Sequence, residues 1–195
     1  MSGILRSQHL MPESFLSLLV AGVHHANRSV YERNQAQQTK MGTTMTAALV
    51  IASTAYVAHV GDSRLYLSRK LLGLTQITQD HSLVAALVAA GTIQPGDIYS
   101  HPLRNQIYRC LGEKPTVEVD THTVPLAAGD ILLLCSDGLW EMVRDQHIAT
   151  ILTTPLQNPP STAYALVQAA LAGGGDDNVS ALVARVSAAE AHPIE

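Results

Sequence analysis

With 195 residues, 12 basic and 16 acidic, the chain has a formal charge of −4, and charged residues are only 14% of it against 47% hydrophobic. That balance excludes intrinsic disorder and provides for one sizeable core. A sequence pI near 6.1 without a Lys/Arg cluster argues against a nucleic-acid partner, and no apolar run nears the roughly 18 residues of a spanning helix, so no membrane is expected. Cys110 and Cys135 have no Cys-x-x-Cys pairing, so reduced thiols in a cytoplasmic protein are expected rather than a disulfide framework or a thiolate zinc site.

Pro12 and Glu13 supply a helix start. From there Phe15, Leu19, Val23, Ala26 and Val30 recur at steps of three and four, predicting one buried helix face as far as Tyr31. This reading outweighs a signal-peptide core at 15–23, because Arg6 is the one firm positive charge ahead of it and no small-x-small site follows. Residues 33–40 are polar and read as a connecting loop. Residues 43–53 and 54–60 are Thr/Val/Ile/Ala-rich and read as strands buried on both faces. Gly61-Asp62-Ser63 is a turn, and 64–69 alternates like the next strand of a meander. A short strand at 74–78 and a helix at 82–90 follow, the helix ended by Gly91 with Ser82 or Asp80 as its cap. Beyond a loop-rich stretch, 117–124 reads as a strand with one exposed face and 131–135 as a fully apolar strand. Helices at about 145–152 and 161–171 flank a loop containing Pro155, Asn158, Pro159 and Pro160, and 179–186 is the last strand. No repeat or linker divides the chain, so an α+β layered single domain is expected.

Asp62, Asp137 and Asp177 share one context, a tight turn beside a buried strand. Each alone is an ordinary turn residue, and Asp137 could cap the helix that follows it. Together they have another meaning, because strand ends gathered at one edge of a sheet sandwich bring distant turn carboxylates together. Such a cluster stays ionised only beside a cation. Ligation by oxygen alone suits Mg²⁺ or Mn²⁺, and water held between two such ions is suited to in-line attack on phosphorus.

At these residues the chain resembles the metal-dependent protein phosphatase family (PPM, the type-2C serine/threonine phosphatases). The matching pieces, in order, are Ala26-Asn27 with Val30-Tyr31, Met41-Gly-Thr-Thr44, Ala55-Tyr-Val-Ala-His-Val-Gly-Asp-Ser-Arg-Leu-Tyr66 and Thr78-Gln-Asp-His81. Then come His101-Pro-x-Arg-Asn105 with Arg109-Cys-Leu-Gly112, Leu126 with Gly129-Asp130, Leu134-Cys-Ser-Asp-Gly-Leu-Trp140 and Gly175-x-Asp-Asn-Val-Ser180. The resemblance runs from about residue 20 to 186, with 187–195 a tail, and implies a single phosphatase domain over 1–195, incomplete on its N-terminal side. It implies a four-layer α/β/β/α sandwich of two antiparallel sheets flanked by helices, lacking the first strands. The implied cofactor is Mn²⁺ or Mg²⁺, binuclear in the family with a third ion in bacterial-type members. The implied activity is hydrolysis of phosphoserine and phosphothreonine in proteins, substrates of a serine/threonine kinase, by metal-activated water. Carried over by motif, Asp137 matches the ligand of the central metal that also contacts a third ion, and Asp177 the other ligand of the first metal. These two are the expected catalytic residues, and Asp62 is expected to help hold the third ion. Residues 82–105 match a mobile flap beside the site.

The family also carries, ahead of the first helix, a pair of strands with an Asp-Gly motif that bridges the two metals, and an earlier arginine that contacts phosphate. This sequence has no Asp before Asp62, and Arg6 has no matching context. The resemblance therefore implies one weakly held ion rather than a tight pair, with slow hydrolysis or none. The alternative is a non-catalytic phosphatase-like binding or regulatory module. Two absent strands also imply an unpaired sheet edge and self-association.

Of the histidines, His24 and His25 are expected at the surface and His59 packed, with His81 and His101 supporting the flap. Trp140 is expected as a core anchor, and Arg104 and Arg109 as structural or phosphate-steering groups.

Overall fold

The computed structural model describes residues 11–154 and 158–188; Arg6, Pro155 and the tail from 189 lie outside the described residues. The first helix, α1 (Pro12–Gln37), starts where expected, with proline in its first turn and Glu13 beside it. It does not stop at Tyr31. Residues 33–37 hold no glycine or proline, and the helix ends only at Gln38, which adopts a left-handed conformation (φ 53°) and donates its N–H to Asn34 O. The predicted polar loop is thus the last turn of α1. The apolar stripe continues through buried asparagines, which hydropathy does not register. The Asn34 side chain donates to Met41 O (2.8 Å) and Gly112 O (2.9 Å) and accepts from Met41 N–H (2.8 Å). Asn27 accepts from Gly112 N–H at 2.9 Å.

Among the described residues, seven strands form two antiparallel sheets. One contains β1 (Met45–Ile51), β2 (Thr54–Val60) and β5 (Asp120–Pro125) in the order β1-β2-β5. The other contains β3 (Arg64–Arg69), β4 (Gly73–Gln76), β6 (Ile131–Cys135) and β7 (Ala181–Arg185) in the order β4-β3-β6-β7. The meander expectation fails at β3, which pairs with β4 and β6 and not with β2. At Gly61-Asp62-Ser63 the chain crosses from one sheet to the other. Gly61 makes the crossing possible, since it has φ +113° and a Cβ there would lie 2.3 Å from the Thr44 side chain.

Period-2 alternation sorts the layers. Ala55 and Val57 of β2, Leu65 and Leu67 of β3, and Leu132 of β6 fill the space between the sheets. The other face of β2, through Ala58 and Val60, packs on Val23 of α1. Tyr66, Leu133 and Cys135 point the opposite way, onto α3 (Asp137–Trp140), α4 (Asp145–Thr153) and α5 (Pro159–Ala172). The result is helix, sheet, sheet, helices, as the resemblance implied.

β2 is buried on both faces as expected, but β1 is only half-buried, because it lies at a sheet edge with β2 as its one partner among the described strands. β7 is the corresponding outer strand of the second sheet, and Val50, Ile51 and Leu182 on these two strands are exposed. α5 starts earlier than predicted. Asn158 caps it by accepting Ser161 N–H at 2.9 Å, and Pro159 and Pro160 fit its first turn, where no N–H is needed. Ser82 caps α2 (Leu83–Ala89), accepting from Ala85 N–H, which leaves Asp80 for another partner. No described helix is long and apolar enough to cross a membrane.

Candidate metal centre

Each of the three aspartates sits on a turn tied to another turn. At the sheet crossing, Gly61 N–H donates to His81 Nδ1 (3.0 Å), His81 N–H returns a bond to Gly61 O (2.8 Å), and Ser63 Oγ lies 2.7 Å from Thr44 Oγ1. Trp140 Nε1–H donates to Asp62 O at 3.0 Å, so the expected core anchor also links the Asp62 turn to the Asp137 turn. Asp137 is the first residue inside α3 and is not its cap; Ser136 holds the cap position. Asp137 Oδ1 accepts from Gly138 N–H (2.9 Å), and Asp177 Oδ1 accepts from Asn178 N–H (2.6 Å). Ser136 then joins these two turns, donating its hydroxyl to Asn178 O (3.2 Å) and accepting Ser180 N–H (3.0 Å). Gly138 is what permits the approach, since a Cβ there would lie 2.4 Å from Asn178 O.

The charges record this crowding. Burial, then the neighbouring Asp137 and Asp80 carboxylates, push the Asp62 pKa up to about 6. The Glu141 carboxyl is also raised, first by burial, with Asp137 and Asp177 adding to the rise and Arg104 opposing it. Glu141 was not singled out from the sequence. Its signal is its place four residues after Asp137, on the same side of a helical turn.

The nearby cations are already engaged. Arg104 pairs with Glu141 (3.3 Å) and Arg109 with Asp120 (2.6 Å) and Glu118 (3.1 Å). Arg64 pairs with Asp80 at 2.6 Å, both side chains being buried, and lies 3.5 Å from the Trp140 ring centre. His24 and His25 are exposed and His59 is fully buried, as expected. His59 Nε2 donates to Gln79 O at 3.1 Å. His101 Nδ1 accepts from Leu103 N–H at 3.1 Å within a turn of residues 82–105.

Among the described residues, no three His, Cys, Asp or Glu side chains close around one point as a ready cation site. The turns converge, but their carboxylates do not close around one point. The donor set is nonetheless made of hard carboxylate oxygens with mutual repulsion that a cation would relieve.

The family model of protein phosphatase 2C matches residues 4–85, and that of stage II sporulation protein E matches residues 96–187. The serine/threonine phosphatase stp of Listeria monocytogenes is 37% identical over 176 residues, covering 89% of this chain and 69% of that protein. This chain belongs to the PPM, or protein phosphatase 2C, family of bacterial serine/threonine phosphatases. The serine/threonine protein phosphatase PstP of Mycobacterium tuberculosis is 44% identical over 146 residues, which are 75% of this family member and 28% of PstP. The crystal structure of the PstP catalytic domain in complex with two manganese ions matches with a TM-score of 0.82 at 36% identity, over 92% of this chain and 75% of that one. As a PPM family member, the chain has its Gly-Asp-Ser and Ser-Asp-Gly segments at the two turns joined through Trp140.

Proposed function

We propose that this phosphatase-family domain acts on phosphoserine and phosphothreonine in proteins, with Mn²⁺ or Mg²⁺ held by Asp137 and Asp177 and with Asp62 beside them. The observation that carries the reading is the joining of three turns, in which Ser136 and Trp140 bring the aspartates from positions far apart in sequence to one end of the sandwich. A hard divalent ion, when bound, neutralises phosphoryl charge and acidifies water. The protein's own part is positional. The Gly138 and Asn178 N–H groups orient the Asp137 and Asp177 carboxylates through one oxygen each, leaving the second oxygen of each for an ion. Arg104 keeps Glu141 paired at the margin of the cluster.

The test pairs thermal unfolding with phosphopeptide turnover, each with Mn²⁺ and with EDTA. Mn²⁺ should raise the unfolding temperature of the wild type and leave Asp137→Asn unchanged, and any turnover should be slow and abolished by EDTA. Turnover indifferent to EDTA, or equal Mn²⁺ stabilisation in both proteins, overturns the assignment. The absence of three converging ligand side chains among the described residues favours a second reading, a non-catalytic phosphoprotein-binding module. Phosphopeptide binding without turnover at any Mn²⁺ concentration would select it.

A further inference from the structure

His81 is only 2% exposed and makes a contact on every side. Its Nδ1 lies 3.0 Å from Gly61 N, a group that can only donate, so Nδ1 must present its lone pair. The imidazole proton therefore sits on Nε2, which lies 3.2 Å from Asp120 Oδ2. Arg109 Nη1, although 3.0 Å from the same nitrogen, has its acceptor in Asp120 Oδ1 at 2.6 Å, so one carboxylate takes both donors. The His59 ring, at 4.9 Å, and the Tyr108 ring, at 5.9 Å, fix the imidazole plane. The main chain of His81 is shared in the same way. Its N–H goes to Gly61 O (2.8 Å), and its carbonyl accepts Tyr108 N–H (2.9 Å). The next residues close the root of the flap segment, where Ser82 bridges Ile107 and Leu83 N–H donates to Gln106 O at 2.8 Å.

We propose that His81 is a positioning residue that, as the neutral Nε2–H tautomer, locks the Gly61-Asp62 corner to the root of the flap segment and so sets where the Asp62 carboxylate stands. This deepens the metal-site reading above and rests on it only for the consequence at the ion. Residues 107–109 and the Asp62 turn both bond to His81, through its imidazole and through its main chain, so displacement of one is passed to the other through this residue.

The test separates the two nitrogens in the full chain. In His81→Asn the side-chain oxygen can take the place of Nδ1 as acceptor for Gly61 N–H. In His81→Gln the amide nitrogen can take the place of Nε2 as donor to Asp120. Three NMR readouts are taken: the imidazole ¹⁵N spectrum of the wild type, hydrogen exchange at Gly61, and Mn²⁺-induced broadening near Asp62. An Nε2–H tautomer is expected. His81→Asn should keep Gly61 exchange near the wild-type rate, whereas His81→Gln should speed it by about tenfold and weaken Mn²⁺ binding by about tenfold. An Nδ1–H tautomer, or equal effects of the two substitutions as simple packing would give, overturns the proposal. If neither variant folds, the wild-type imidazole spectrum decides alone. Absence of Mn²⁺ broadening in the wild type refutes the metal reading and leaves the tautomer and exchange measurements to judge His81.

Discussion

Replacing Asp62 with asparagine should stabilise the metal-free protein while weakening its hold on Mn²⁺. The Asp62 side chain sits at a corner that is 8% exposed, where burial and then Asp137 raise its carboxyl from 3.8 to about 6. At about 1.4 kcal/mol per pH unit, ionising it in the folded protein costs about 3 kcal/mol at neutral pH. Asparagine keeps the shape and an acceptor oxygen for the local turn but adds an amide to be hydrogen-bonded, which offsets part of the gain. The expected net gain is about 1–3 kcal/mol, or a rise on the order of 3–10 °C in Tm, at pH 7.5 in EDTA. The sign follows from linkage. Above pH 6 the wild-type carboxylate is ionised in both states, so the full gain is present. Between 6 and 3.8 the folded protein keeps a proton that the unfolded chain loses, and the gain fades; below 3.8 it is gone. Urea unfolding of both proteins at pH 7.5 and pH 4 in EDTA, repeated with Mn²⁺ at pH 7.5, measures each part. A variant less stable than the wild type at pH 7.5, or a gain that persists at pH 4, would refute the reasoning.

Gly138→Ala should separate the Asp137 and Asp177 turns, because its methyl would lie 2.4 Å from Asn178 O. A loss of about 1–3 kcal/mol is expected in chemical denaturation, together with loss of Mn²⁺ stabilisation. Asp80→Ala leaves the Arg64 guanidinium buried without its carboxylate. It should cost about 3–5 kcal/mol, most of it recovered in Asp80→Ala with Arg64→Met; an additive double variant would contradict this. His59 is held neutral in the fold, its pKa lowered to about 4 by burial and then by His81. As pH falls from about 6.5 to 4 the unfolded chain takes up a proton that the folded protein refuses, so up to about 3 kcal/mol of stability is lost across that window. Denaturation measured in the Asp62→Asn background, where the opposing carboxylate is absent, should show this slope, and His59→Gln should flatten it.

Free edges bear on the expectation of self-association. Among the described residues, β1 and β7 each have a single strand neighbour and expose Val50, Ile51 and Leu182. Size-exclusion chromatography across a concentration series should show association, and a monomer at every concentration would count against it.

The amino-acid sequence by itself determined the elements whose signals are local. The apolar stripe of α1, the apolar runs of β2 and β6, the alternation of β3, a cap at Ser82 or Asp80 and the three Asp turns were all legible, because a periodicity, an apolar run and a turn residue act within a few positions of one another. Family motifs pointed to Asp62, Asp137 and Asp177 as candidate ligands without any geometry. What the pattern could not carry was partnership across the chain. β3 alternates identically whether it continues the first sheet or opens the second, and its pairing with β6, after a crossing at Gly61 (φ +113°) packed close to Thr44, shows only in the structure. Asn34 looks like loop polarity until its amide is matched to Met41 and Gly112. Asp80 is one of two cap candidates by sequence, yet in the fold it neutralises Arg64, sixteen positions away. The same holds for the candidate centre. Carboxylate residue types are a property of the sequence, but the burial and then the repulsion that raise Asp62 and Glu141 exist only where sheet packing encloses separate turns within reach of one another's charge.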